Sequence, residues 1–198
     1  MKPKSQSEVI LQMNDREITI QLILTQVIIL TLAIIGSVFL FDSFWSGWSR
    51  QLVYDSKQIF LYGALPGLLV LFIDIFLLYR LPRRMYDDGG INVKVFKNRS
   101  IISIIGITLL VAVSEEMLFR GVLHAEFGYI IASVLFAIMH IRYLTKMVLF
   151  ISVLFVSFFI GYMYEMTGSL LVTITAHFII DVVLAFWIRF GKWGGTDE

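Results

Sequence analysis

The chain of 198 residues contains no cysteine. That excludes a disulfide framework, a thiol nucleophile and a thiolate metal site. Charge is also scarce, at 16% of residues, where a soluble domain carries about 25%. Lys and Arg number 16 against 15 acids, a net charge of +1. That net charge says little about partners; no nucleic-acid partner is expected. There is no internal repeat and no low-complexity segment.

What remains is apolar. Hydrophobic residues make up 58% of the chain, against about 45–50% in soluble domains. The excess lies in runs. Residues 18–41 form 24 positions without a charge, and about 20 helical residues cross a hydrocarbon core. The run is too long for the apolar part of a signal peptide, and no small-residue cleavage site closes it. The expected fold is all-α, a polytopic transmembrane bundle of about six spans in the cell membrane. Residues 1–17 read as a polar segment that lies on the membrane surface or is partly disordered. The region 18–100 holds spans one (18–41) and two (59–79) and a basic loop. Trp45, Trp48 and Tyr54, between these spans, suit a membrane–water interface. Pro66-Gly67 predicts a kink in span two. Residues 101–190 form a second helical core with spans at 101–123, 129–141, 147–164 and 169–188, and 191–198 form a tail.

The bases set an orientation. Thirteen Lys and Arg fall in the N-terminal segment, the 80–100 loop, the 142–146 turn and the tail, whereas Arg50 and Lys57 alone fall on the opposite side. An excess of bases marks the cytoplasmic side, so both termini are expected to be cytoplasmic.

Several spans carry ionisable groups where lipid should be. Each charge at membrane depth costs roughly 2.5–3.5 kcal/mol on insertion scales. Ser114-Glu115-Glu116-Met117-Leu118-Phe119-Arg120-Gly121 follows a stretch, 100–114, with no charge at all. Glu116 and Arg120 stand at i and i+4 on one helix face, acid before base. Glu115 points about 100° away, an acid without a local partner. Span four ends in Phe136-x-x-x-His140, and span six carries His177-x-x-x-Asp181. Two further groups read as structural. Asp74 is expected to pair with a base such as Arg80 or to sit at the interface, and His124 to lie in a polar turn beside Glu126. Carboxylate, imidazoles and water are the means of hydrolysis without a covalent intermediate. A desolvated Glu can take a proton from water, and histidines can orient that water or stabilise an oxyanion. The same residues could instead hold a divalent metal; spacing does not separate the two.

Three motifs, each on its own span, resemble those of the CAAX prenyl protease type II and bacteriocin-processing family (CPBP, or Abi, intramembrane proteases). They are Glu115-Glu116-x-x-x-Arg120, Phe136-x-x-x-His140 and His177-x-x-x-Asp181. Leu118-Phe119-Arg120-Gly121 and Tyr164-x-x-Thr167-Gly168-Ser169-Leu170 match as well. The resemblance covers about 101–185. It implies an intramembrane endopeptidase in which Glu115 is the general base, His140 holds the water, and His177 with residue 181 stabilises the oxyanion. Glu116, Arg120 and Phe136 are implied as supporting residues. No cofactor is the expectation, with zinc on Glu115, His140, His177 and Asp181 as the alternative. Residue 181 departs from the pattern, which most often has Asn there. An ionised carboxylate cannot donate to an oxyanion, so Asp181 must be protonated, orient His177 or bind a metal.

The expected substrate is a bacteriocin leader, a signalling peptide or a membrane-protein segment. A non-catalytic immunity factor or sensor scaffold, and a proton or cation transporter, are the alternatives from other classes. One conflict stands. Glu115 should lie about 21 Å along span three, while His140 falls near the cytoplasmic end of a short span four. The expectation is that the 124–128 turn dips into the bundle. A reporter fused to the C-terminus tests the orientation: it should behave as cytoplasmic, and an external response overturns the topology.

Overall fold

The computed structural model describes residues 6–82, 85–144 and 146–191. The expectations for residues 1–5 and for the tail beyond 191 lie outside the described residues. Those described form an all-helical bundle without strands. In chain order the helices are α1 (Gln6–Gln12), α2 (Asp15–Leu40), α3 (Phe44–Gln51), α4 (Ser56–Arg80), α5 (Ile91–Phe96), α6 (Ile101–Phe127), α7 (Tyr129–Met139), α8 (Met147–Thr167) and α9 (Leu170–Phe190).

Five helices are long and apolar enough to cross a membrane: α2, α4, α6, α8 and α9. α2 begins earlier than expected because Asn14 and Glu17 close a capping box, each side chain bonding the other's backbone N–H. Its buried stripe is Ile18, Gln26, Ile29, Ala33 and Ser37. Beyond its polar first turn, most of the rest of its surface is apolar and exposed, as suits a helix facing lipid. In α4 the turns at Ile59–Ala64 widen to a π-helix immediately before Pro66, where a proline would otherwise collide with the preceding turn. α6 carries a second π-helical stretch, Met117–His124.

α6 and α9 are the most buried of the crossing helices and pack against each other at the centre of the bundle. α4 reaches α9 through glycines. A Cβ on Gly63 would lie 2.8 Å from the Val172 carbonyl, and one on Gly67 would lie 3.0 Å from the Ala176 carbonyl. At one end of the bundle, Arg99 donates to Thr19 Oγ1, Arg189 to the Arg99 carbonyl and Lys97 to the Gly191 carbonyl. These bonds tie the starts of α2 and α6 to the end of α9. At the other end Gln51 bridges the Gly121 carbonyl and the Tyr164 hydroxyl.

Several sequence expectations change. The 80–100 stretch is not all loop: α5 lies within it and buries Ile91 and Val95 against Ile18. Trp48 is not interfacial. It is 6% exposed, packs edge-on to Phe41 and donates to Ser37 Oγ, whereas Trp45 is exposed. No polar turn begins at His124, because helix α6 continues to Phe127 and the chain reverses at Gly128, where φ is +87°. The fourth apolar element is the largest change. α7 has only 11 residues, about 16 Å of rise, and stops partway through the depth of its neighbours. A short 3₁₀ turn, Ile141–Tyr143, follows.

Glycine at the α4–α9 contact predicts a steep penalty for volume. Gly67→Val should destabilise by about 1–3 kcal/mol through overpacking. Gly106→Ala, where a Cβ meets nothing within 4 Å, should be near neutral. Thermal unfolding in detergent micelles measures both, and equal effects would contradict the packing.

Candidate active site

The first motif splits its two acids between two environments. Glu116 is fully buried and Arg120 is 1% exposed. Arg120 Nη1 donates to Glu116 Oε1 at 3.1 Å, as the i, i+4 spacing predicts. Arg120 also reaches α8, donating through Nη2 to the Ser157 carbonyl at 2.9 Å and to Ser157 Oγ at 3.2 Å. Its guanidinium lies over the Phe136 ring, 4.5 Å from the centroid. Glu116 has a second partner that helix spacing does not reveal: His177 Nδ1 donates to the same Oε1 at 2.8 Å. The buried charges therefore join α6, α8 and α9.

Glu115 faces elsewhere. It is 9% exposed, and one oxygen, Oε2, has no hydrogen-bond partner. The other, Oε1, lies 3.4 Å from Gln26 Nε2 on α2.

The two motif histidines are held alike. His140 Nδ1 lies 2.9 Å from the Phe136 carbonyl. A carbonyl only accepts, so Nδ1 carries the proton and Nε2 is left for the site. His177 likewise spends Nδ1 on Glu116, and its Nε2 lies 3.5 Å from Asp181 Oδ2. Phe136 fixes both rings, with centroids 4.8 Å from His140 and 5.8 Å from His177, and stands edge-on to Phe119 at 5.1 Å.

Glu115, Phe136, His140, His177 and Asp181 line one cavity of about 550 Å³, within the usual range for small-ligand sites, about 300–1,000 Å³. The cavity runs on to Asp87, Asp88 and Asn92, between α4 and α5. It therefore reaches the end of the bundle where α2 and α6 begin.

The depth conflict disappears with the short α7. Counted from the Gly128 reversal, Glu115 lies about 20 Å back along α6 and His140 about 18 Å along α7. The helix that carries His140 ends at the level of Glu115, so no dip of the 124–128 turn is needed.

Residues 97–183 match the family model described as type II CAAX prenyl endopeptidase, Rce1-like. The uncharacterized protein YpbD of Bacillus subtilis (strain 168) is 46% identical over 167 residues, 84% of this chain and 88% of YpbD. The chain belongs to the Rce1-like family. It is thereby a multi-pass membrane protein of the CAAX-type intramembrane protease kind. No solved structure matches it. The matched segment contains all three motifs and excludes α2, α3, α4 and α5.

Glu116 Oε1 is already engaged by Arg120 and His177. Among the described residues no three His, Asp or Glu side chains cluster closely enough to hold an ion.

Sequence reasoning missed several contributors. Gln26, Ser157 and Tyr143 are polar residues in apolar helices or beside them, and each touches a motif residue. Tyr143 is 7% exposed and its ring stacks on His140, with 5.9 Å between centroids. Their one signal was a lone polar side chain at a depth where lipid should be. Two structural expectations are corrected, the pair of Asp74 with Arg80 and the turn around His124. Asp74 shows no ion pair with Arg80 among the described residues and instead lines the cavity. Six residues along a helix put the two about 120° apart, and the Arg80 guanidinium lies over Phe76. His124 is buried rather than in a turn, and its Nε2 lies 2.6 Å from Glu165 Oε1.

The Glu116–Arg120 pair predicts a non-additive cycle. Arg120→Met leaves a buried carboxylate without its cation and should cost about 3–5 kcal/mol. Adding Glu116→Gln removes that charge and should restore part of the loss. Denaturant unfolding of the two single variants and the double variant measures the coupling, and additivity would contradict the pairing.

Proposed function

We propose that this chain is an intramembrane endopeptidase that hydrolyses a peptide bond with a water activated by Glu115. The observation that carries the reading is the convergence of Glu115, His140, His177 and Asp181 on one cavity. Glu115 Oε2, free of other partners, takes a proton from water as the oxygen attacks the carbonyl carbon. His140 Nε2, left open by the Nδ1 bond to Phe136, holds that water in line. The carbonyl oxygen becomes an oxyanion and is met by His177 Nε2. The C–N bond then breaks, and Glu115 returns its proton to the leaving amine.

Asp181 acts through His177 in this scheme. With Glu116 on Nδ1 and Asp181 beside Nε2, the imidazole lies between two carboxylates and acts in this scheme as the doubly protonated ring. Its Nε2–H is then available to the oxyanion. Asp181 thus supplies charge to the donor rather than a hydrogen bond of its own. The substrate is a peptide or membrane-protein segment, such as a leader or signalling peptide. It reaches the cavity from the end lined by Asp87, Asp88 and Asn92, which we assign to the cytoplasm.

Mass spectrometry of new peptide termini in membranes tests the activity, comparing cells that carry the native chain with cells that carry variants. Termini that depend on the chain should fall about 100-fold or more with Glu115→Gln and fall strongly with His140→Ala. Asp181→Asn removes the charge beside His177 Nε2 and should lower them, by less than Glu115→Gln does. Termini unchanged in Glu115→Gln would sink the hydrolase and leave a scaffold. A chelator should leave cleavage intact; inhibition reversed by added zinc would overturn the metal-free route.

A further inference from the structure

Between Lys57 and Arg80 at its two ends, α4 carries a single charge, Asp74. The side chain lines the cavity that holds Glu115, His140, His177 and Asp181. Among the described residues it has no hydrogen bond and no ion pair. The acids nearer the mouth are turned to the backbone: Asp87 Oδ1 accepts from the Gly89 N–H, and Asp88 Oδ2 accepts from the Asn92 N–H. Asp181 stands beside His177. Ionisable groups at membrane depth pair with one another or mark the path of a substrate or an ion. Asp74 is not paired.

The rest of the lining has the same sign. Asp74, Asp87, Asp88, Glu115 and Asp181 face the cavity together with His140 and His177, and among the described residues the one Lys or Arg is Arg142. Arg142 is already engaged, donating through Nη2 to the Tyr143 hydroxyl at 2.6 Å and to Asn92 Oδ1 at 3.3 Å. Deep in the same space Glu115 is 9% exposed, and its Oε2 has no partner. A cleft with an excess of carboxylates between low-dielectric walls attracts a cation.

The walls decide which cation. α4 and α8 meet at Val70 and Ile160. From there toward Asp87 and Asp88 they flank the cavity with Leu77 and Leu78 on one side and Val153 and Val156 on the other. Such walls offer nothing to a bare ion, whereas an alkyl stem with a charged tip matches them. We propose that Asp74 selects the substrate. It takes the ammonium or guanidinium of a Lys or Arg side chain whose methylene stem lies along the apolar walls. This rests on the reading of the chain as a peptidase and names the class of segment it cuts. Membrane proteins carry their Lys and Arg on the cytoplasmic flank of a span, the side to which this end of the cavity is assigned.

The register of α4 on α9 sets the spacing. Gly63 abuts Val172 and Gly67 abuts Ala176, so the two helices run in step and Asp74 stands level with Val183. His177 is then about 9 Å deeper along the bundle. An extended peptide covers about 3.3 Å per residue, which puts the basic residue about two or three positions from the scissile bond.

The sequences around the cuts test the proposal. New termini are collected by mass spectrometry from membranes of cells with the native full-length chain, with Glu115→Gln and without the chain. Cuts that require Glu115 are aligned, and Lys or Arg should be enriched about two or three residues from the bond. Asp74→Asn keeps the shape and removes the charge, so it should lower the ratio of basic to non-basic cuts about 10-fold. Asp74→Glu should restore the ratio, and Asp74→Lys should turn the preference to Asp or Glu. If no Asp74 variant folds, the native alignment carries the test. Cuts that require Glu115 but show no basic enrichment overturn the role of Asp74 and leave the peptidase. An enrichment that persists in Asp74→Asn does the same. Cuts unchanged in Glu115→Gln remove the peptidase, and the selection with it.

Discussion

The bundle depends on one buried charge cluster. Arg120 and Glu116 neutralise each other on α6, but neither stops there. Arg120 also bonds Ser157 on α8, and Glu116 accepts from His177 on α9. Lipid tails are as apolar as the helices, so burying leucine against leucine gives crossing helices little reason to choose one neighbour over another. A buried ion pair does give one, because each ion must have its partners where no water can replace them. The same contacts that fix α6, α8 and α9 relative to one another turn the His177 ring toward the cavity. Assembly and site geometry are set by one group of atoms.

Much of the frame was legible beforehand. The uncharged runs marked the long helices, since a hydrocarbon core demands length and apolarity and little else. The i, i+4 pairs marked shared faces, and Glu116–Arg120 formed as spacing implied. The site motifs were legible because ionisable groups in an apolar run stand out. What failed to show was tertiary. Nothing local says that His177 will find Glu116 from 61 positions away, or that Gln26 will meet Ser114. A lone glutamine in a span looks like a tolerated polar residue until the facing helix is known. The stop of α7 at Met139 was only half visible. The sequence showed a short apolar stretch, and the assumption that every stretch must cross turned it into a conflict of depth.

The two π-helical stretches belong to the same account. One precedes Pro66 and absorbs its missing N–H. The other begins directly after Glu116 and carries Arg120 and His124. A widened turn displaces the residues beyond it relative to a regular helix and is common where side chains must be aimed. Here it follows the two acids whose different orientations the site requires. Phe136 then acts as a spacer: its ring touches Arg120, Phe119 and both histidines, so the imidazoles are set by the surface of one rigid side chain.

The half-length of α7 also has a consequence for what the bundle can admit. A hydrocarbon core is about 30 Å thick, and α7 supplies about 16 Å of it. The cavity of about 550 Å³ is lined by His140 and by the turn that follows it, and most of its other lining side chains are apolar. An apolar segment of chain can lie there at little cost in desolvation, and the polar groups it then meets are few and fixed in place.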